Sequence, residues 1–154
     1  MKTNAVRILE SKSIAHSIIQ YEFSEDEIDA ITVANKIGVD ADHVFKTLVT
    51  RNEKNEIVVF LIPSNFELNL KKAAKASRSK HIEMIKMKEI QPLTGYIRGG
   101  CSPIGMKKNF ESYIDETAQL YNDIYVSAGI RGMQIKISPS KLKEVINAQF
   151  YDII

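Results

Sequence analysis

Val44-Phe45-Lys46-Thr47-Leu48-Val49-Thr50, then Asn52-Glu53-Lys54-Asn55, then Ile57-Val58-Val59-Phe60-Leu61-Ile62 read as two strands joined by a polar turn. β-branched and aromatic residues suit a pleated, half-buried surface, and a short polar break between two such runs makes a hairpin. Working outward, residues 4–12 read as a helix with Thr3 as N-cap, and residues 17–23 as a strand with Ile19, Tyr21 and Phe23 on one face. Residues 28–37 read as a helix stopped by Gly38, and residues 68–76 as another. A short helix over 86–90 is expected to end before Pro92. Residues 113–115, 124–127 and 133–137 read as strands. Ser138-Pro139 then starts a helix running to about 147, and 150–153 makes a last strand. Helices interspersed with strands and hairpins predict a mixed α/β, α+β-like fold, a mixed β-sheet with helices packed on it.

The chain has 154 residues, enough for one domain with a real core, so residues 1–154 are read as a single domain. Hydrophobic residues at 44% and charged ones at 26% exclude a disordered or fibrous chain. The one cysteine, Cys101, excludes an intramolecular disulfide and a cysteine-rich zinc site, and suits a reducing compartment. The longest apolar run, Ile57 to Ile62, is a strand's length and too short for a bilayer, and the start Met-Lys-Thr-Asn-Ala has no apolar signal core. A cytoplasmic location is expected.

The net charge of +2 hides an asymmetry. Residues 1–45 carry eight acids and four bases, while residues 71–88 carry seven bases (Lys71, Lys72, Lys75, Arg78, Lys80, Lys86, Lys88) against Glu83 alone. That basic stretch is either a solvated face or a site for a polyanion. The glycines are uneven too. Four of seven (Gly95, Gly99, Gly100, Gly105) fall within eleven residues, and Gly129 and Gly132 flank Ile130-Arg131. The latter pair fits a hairpin turn. The run Gly99-Gly100-Cys101-Ser102-Pro103-Ile104-Gly105 is longer than a hairpin needs, and such loops turn backbone N–H groups toward a ligand.

Lys46 interrupts an apolar strand. Period-two alternation puts it on a face with Val44 and Leu48, opposite Phe45, Thr47 and Val49. An unpaired buried ammonium is costly, so Lys46 either snorkels to solvent or is presented at a cleft to a phosphate or a developing oxyanion. His16, His43 and His81 lack metal-ligand spacing, and neither Cys-x-x-Cys nor His-Glu-x-x-His occurs; no metal or cofactor is expected. Cys101 has no histidine near it in sequence and reads as filling an apolar loop position rather than as a nucleophile. Ser102 and Ser127 are possible hydrogen-bond donors; neither lies in a Gly-x-Ser-x-Gly elbow, and no Walker loop occurs.

Four segments occur in order: Phe45-Lys46-Thr47-Leu48-Val49; Asn69-Leu70-Lys71-Lys72-Ala73-Ala74-Lys75; Thr94-Gly95-Tyr96 with Gly99 to Gly105; and Ser127-Ala128-Gly129-Ile130-Arg131-Gly132. Together, over nearly the whole chain, they resemble the YbaK/EbsC family of freestanding aminoacyl-tRNA deacylases, relatives of the editing domain of bacterial prolyl-tRNA synthetases. The resemblance implies a curved mixed β-sheet with helices packed around it, and hydrolytic or cyclising removal of a wrong amino acid from tRNA, cysteine on proline tRNA in the YbaK branch. The family's essential lysine falls on Lys46, its pocket tyrosine on Tyr21, its loop glycine on Gly99 and its pocket serine on Ser127. Many members have an aromatic residue followed by glycine where this chain reads Ile28-Asp29, at the border of the amino-acid pocket. Relatives often carry an aliphatic residue at the position of Cys101.

The resemblance implies an acceptor-end site with Lys46 as the catalytic residue and Tyr21, Gly99, Gly100, Cys101, Ser102, Gly105, Ser127 and Gly129 around the substrate. Backbone N–H groups of Gly99 to Ser102 would face the ester carbonyl or the terminal nucleotide. Lys71, Lys72, Lys75 and Arg78 would contact the tRNA. The expected partners are aminoacyl-tRNA and, transiently, prolyl-tRNA synthetase, with the protein a monomer and no membrane involved. Its thiol lets cysteine attack its own ester, a reaction that needs no serine triad. Two rival readings are a deacylase of the Ala-tRNA(Pro) type working through water, and a non-catalytic module that binds tRNA or a synthetase.

Overall fold

The structure, a computed structural model, describes residues 2–24 and 29–154. Its strands fall into two sheets rather than the single curved sheet expected, and the mixed α/β character stands. The larger sheet has the order β4-β2-β3-β5-β8: β2 (Phe45–Asn52), β3 (Ile57–Pro63), β4 (Ile82–Met84), β5 (Glu111–Asp115) and β8 (Gln149–Tyr151). Its hairpin is the one read from the sequence, with Lys46 opposite Ile62 and Val49 opposite Val59. The β3–β5 and β5–β8 pairs are parallel, so the sheet is mixed. The smaller sheet is antiparallel, β1-β7-β6, from β1 (Ser17–Gln20), β6 (Ile124–Ser127) and β7 (Met133–Ile137). One parallel bridge, Val44 to Tyr125, joins the sheets at the entry to β2.

The main core lies where the two sheets face each other. Phe45, Val59 and Leu61 from the larger meet Val126, Ile135 and Ile137 from the smaller, closed by Val6 and Leu9 of helix α1 (Asn4–Ser11) and Leu142 of α5 (Pro139–Ile146). A second cluster, with Val58, Phe60 and Ile62, packs the opposite face of β3 under α3 (Leu70–Ala76). A side chain on β3 therefore meets apolar atoms whichever way it points, which is why that run is apolar throughout.

Several boundaries differ from the sequence reading for identifiable reasons. β1 ends at Gln20, although the Tyr21 N–H still bonds to the Gly132 carbonyl at 2.9 Å. Beyond it Phe23 leaves the ladder to lie against Gly132, where an added Cβ would come within 2.8 Å of its ring. Helix α2 runs Ala30–Ile37 with Asp29 as N-cap and Gly38 in the left-handed region; Ile28, the expected start, lies outside the described residues. Helix α4 (Met87–Thr94) passes through Pro92 instead of stopping before it. Proline removes one donor and crowds one carbonyl, whereas the stop comes from Gly95 in the left-handed conformation, its N–H on the Gln91 carbonyl at 2.9 Å.

Candidate functional site

A hollow of about 380 Å³ opens between the entry to β2, the first turn of α2, residues 98–101 and the facing ends of β6 and β7. Lys46, Gly99, Cys101 and Ser127 line it, so four of the residues singled out in the sequence converge there. With them come Thr47, Ser64, Arg98 and Gln134, which the sequence reading did not select, and Asp29, which the resemblance had set at the border of the amino-acid pocket. Ile31, Val33, Val44 and Leu48 supply an aliphatic wall suited to a small side chain.

Lys46 is half-buried, and its Nζ lies 3.4 Å from the Ser64 carbonyl oxygen. Ser64 is held from both sides: its N–H donates to the Val44 carbonyl at 2.7 Å and its hydroxyl to the Ala41 carbonyl. Burial lowers the Lys46 pKa below the ordinary lysine value, while the negative charges of Glu67 and Asp29 oppose that shift. Asp29 accepts from the Thr32 N–H at 2.9 Å and its hydroxyl at 2.8 Å, and these bonds hold its carboxyl below the usual range. The hollow thus contains a partly desolvated ammonium with a fixed carbonyl beside it.

The glycine loop forms the opposite lip. Its ends are tied together by the Lys107 N–H on the Thr94 carbonyl at 3.1 Å, and its interior by the Tyr96 hydroxyl on the Ile104 carbonyl at 2.6 Å. Burial pushes the Tyr96 phenol up to about 12, so it stays a donor. Gly99 has φ 83°, a conformation that other residues rarely adopt. Gly100 presses on the β6–β7 turn, where an added Cβ would lie 3.1 Å from backbone atoms of Ile130 and Arg131. The loop is therefore seated directly on the hairpin turn, and Gly129 to Gly132 serve both as that turn and as its bed.

The remaining expected site residues lie elsewhere. The Gly100 N–H is bonded to the Ile97 carbonyl at 3.0 Å, so it does not face the hollow as expected. Among the described residues the amide N–H groups of Gly99 and Cys101 have no partner in the protein. Ser102 is fully buried and its hydroxyl accepts from the Ile104 N–H at 3.2 Å, which makes it a brace of the loop. Gly105 accepts from the Asn4 side chain at 2.9 Å, and Gly129 lies against the Tyr96 ring; both stand behind the lip. Tyr21 is half-buried and does not line the hollow. Burial pushes the Cys101 thiol up to about 11, which leaves it protonated and a poor nucleophile.

Lys71, Lys72, Lys75 and Arg78 do not line the hollow either. Lys72 is committed within the chain, to Asp152 at 2.9 Å and the Ile154 carbonyl at 2.6 Å. Lys71, Lys75 and Arg78 are exposed. The cation at the mouth besides Lys46 is Arg98, whose carbonyl receives the Arg131 guanidinium at 2.9 and 3.1 Å, so two arginines meet at the lip. Among the described residues one trio, Asp40, Asp42 and His43, has donor atoms within 4.8 Å of one another, and Asp42 there is engaged by the Tyr121 hydroxyl at 2.8 Å. Among the described residues no helix is long and apolar enough to cross a membrane.

Residues 25–145 match the family model of the aminoacyl-tRNA editing domain. The chain is 49% identical over 152 residues, 99% of its own length and 93% of the relative's, to EbsC of Enterococcus faecalis, named as a candidate Cys-tRNA(Pro)/Cys-tRNA(Cys) deacylase. It is 26% identical over 132 residues to a proline–tRNA ligase of Shouchella clausii, covering 85% of this chain and 23% of that much longer protein. The crystal structure of a candidate trans-editing enzyme for prolyl-tRNA synthetase superposes with a TM-score of 0.84 at 23% identity, over 99% of this chain and 98% of the other. The resemblance read from Lys46 and the glycine segments is thereby a relationship over the whole chain: this protein belongs to the aminoacyl-tRNA editing domain family.

Proposed function

We propose that this editing-family protein removes cysteine from mischarged Cys-tRNA(Pro), and from Cys-tRNA(Cys), by letting the substrate thiol cleave its own ester. The carrying observation is the hollow itself: a partly buried Lys46 ammonium and the Gly99 lip line one space of about 380 Å³, enough for an aminoacyl end. The name of the EbsC relative supports the choice of cysteine.

In this reading the terminal ribose and phosphate rest between Lys46 and the Arg98 lip, and the unpartnered Gly99 and Cys101 amides meet the ester carbonyl. The cysteine sulfur attacks that carbonyl, an S–C bond forms, the C–O ester bond breaks, and the ribose oxygen leaves with a proton as a hydroxyl. The product is a cyclic thiolactone. A free thiol of pKa about 8.5 is a few per cent thiolate near neutrality. Intramolecular attack from the right geometry has an effective molarity on the order of 10⁵ M or more. The protein then has to fold the substrate and hold the developing negative charge, which a desolvated ammonium and oriented amides do without reorganising. No protein nucleophile takes part, in keeping with a Cys101 thiol raised by burial.

Exposed Lys71, Lys75 and Arg78 lie along the chain's basic stretch and contact acceptor-stem phosphates, which give affinity without sequence choice. Choice of tRNA then falls to prolyl-tRNA synthetase, which the protein meets transiently as a monomer. The test is release of amino acid from Cys-, Ser- and Ala-charged proline tRNA, with and without that synthetase. Rapid loss of cysteine with Ser-tRNA slower by orders of magnitude supports thiol self-attack. Equal rates for cysteine and serine, or preference for alanine, reject it in favour of hydrolysis by water. Tight tRNA binding with no release rejects catalysis altogether.

A further inference from the structure

Gln134 is a glutamine in the middle strand of the smaller sheet, flanked in sequence by the core residues Met133 and Ile135. It is only 5% exposed, it lines the hollow, and its Oε1 has no hydrogen-bond partner among the described residues. Buried side-chain acceptors are almost always satisfied, and leaving one bare costs the full desolvation of the group. A second bare polar atom, Thr47 Oγ1, is buried at the same hollow. Two buried side-chain polar atoms are therefore unsatisfied where a ligand would lie.

The register fixes what Gln134 faces. It stands opposite Ser127 on β6 and Ile19 on β1, so its side chain leaves the sheet on the same face as the Ser127 hydroxyl. Ser127 Oγ already accepts from the Gly129 N–H at 3.2 Å. The recorded contact of the Lys46 ammonium is the Ser64 carbonyl, not the carboxamide. What Oε1 lacks is a donor, and a substrate in the hollow can bring one.

We propose that Gln134 reads the α-amino group of the aminoacyl end, accepting a hydrogen bond from it through Oε1, so that the hollow admits esters of α-amino acids and rejects acyl groups without that nitrogen. An amino group is a donor in either protonation state, whereas the ester oxygens of the same ligand only accept; the free ribose hydroxyl can donate, but it lies on the sugar rather than on the amino acid that the aliphatic wall would hold. Lys46, Arg98 and the Gly99 lip offer donors to those oxygens, which leaves Gln134 as the complementary acceptor. A site built around a hydrogen bond discriminates strongly against the ligand lacking it, because its own polar group is then left bare. This inference rests on the deacylase reading for the identity of the ligand, and its test does not depend on turnover.

The experiment measures binding of two uncleavable ligands by calorimetry: adenosine carrying cysteine through a 3′-amide, and the same compound with 3-sulfanylpropanoyl, which lacks only the α-amino group. The wild-type protein is expected to bind the first at least about tenfold tighter. Gln134→Met should abolish that preference by weakening only the amine-bearing ligand, while Gln134→Glu, which keeps an acceptor there, should retain it. Thermal unfolding of each variant checks that the fold is intact. Equal binding of the two ligands by the wild type overturns the inference, as does a Gln134→Met protein that keeps the preference, or a Gln134→Glu protein that loses it as fully as Gln134→Met. Discrimination without release of cysteine from Cys-tRNA supports the inference and removes the deacylase reading. Release of cysteine with no discrimination does the reverse.

Discussion

The ammonium of Lys46 and the carbonyl of Ser64 are 3.4 Å apart, although 18 residues separate them in sequence. The β2–β3 hairpin brings them together: Lys46 pairs with Ile62, and Ser64 follows directly after the end of β3. Ser64 is in turn pinned to Val44 and Ala41, so the carbonyl that orients the lysine is itself immobile. A flexible four-carbon stem is thus given a defined end point inside a hollow, which is what charge stabilisation without reorganisation requires.

The depressed Lys46 pKa predicts the pH dependence. Activity that needs the ammonium is present below that pKa and lost as pH rises through it, so the alkaline limb of kcat/KM should fall below the ordinary lysine range. The Glu67 carboxylate raises the Lys46 pKa; Glu67→Gln removes that support and should move the limb to still lower pH. Rates of enzymatic release, corrected for spontaneous ester hydrolysis, check this. A limb unmoved by Glu67→Gln, or shifted upward, contradicts it.

Cys101 invites the opposite expectation from its position at the lip, but its thiol, pushed up to about 11, is protonated across the physiological range. Cys101→Ala should keep deacylation within about threefold, and iodoacetamide should label the wild-type thiol slowly at neutral pH. A loss of a thousandfold with the fold intact would assign it a covalent role.

The contact of Gly100 with the hairpin turn gives a structural prediction. In Gly100→Ala the new methyl meets the backbone of Ile130 and Arg131 at 3.1 Å, and backbone cannot step aside as a side chain can. Overpacking of this kind costs about 1–3 kcal/mol, and the lip carrying Gly99 and Cys101 should shift with it. The expected outcome is a Tm lower by several degrees together with reduced kcat/KM. Gly38→Ala is the control: its φ is +76° but nothing lies within 4 Å, so stability falls while activity stays.

The sequence announces some of this site and hides the rest. The β2–β3 hairpin is legible because its two runs are apolar and its turn is polar, and Lys46 is legible because it breaks one of those runs. The lip is legible as a cluster of glycines. β4 is not: of its three residues Ile82 is buried and Met84 exposed, too short a span to show alternation. Gln134 has a weak signal, since alternation in Met133 to Ile137 places it opposite the core on what reads as a solvent face. Its burial follows from how other parts of the chain close over that face, and no local pattern reports such closure. Ser64 and Arg98 join the site from two separate connections, each ordinary in its own neighbourhood. The basic stretch misled in part: one of its lysines, Lys72, holds the C-terminal segment through Asp152 and Ile154.

The most direct test of the account is single-turnover release of cysteine from Cys-tRNA(Pro) by the wild-type protein and by Lys46→Ala. Removing one oxyanion-type donor typically costs about 10²–10³ in rate. The account predicts fast release by the wild type, a loss of at least that size in Lys46→Ala, and an unfolding temperature close to that of the wild type. Release by Lys46→Ala at the wild-type rate would contradict it.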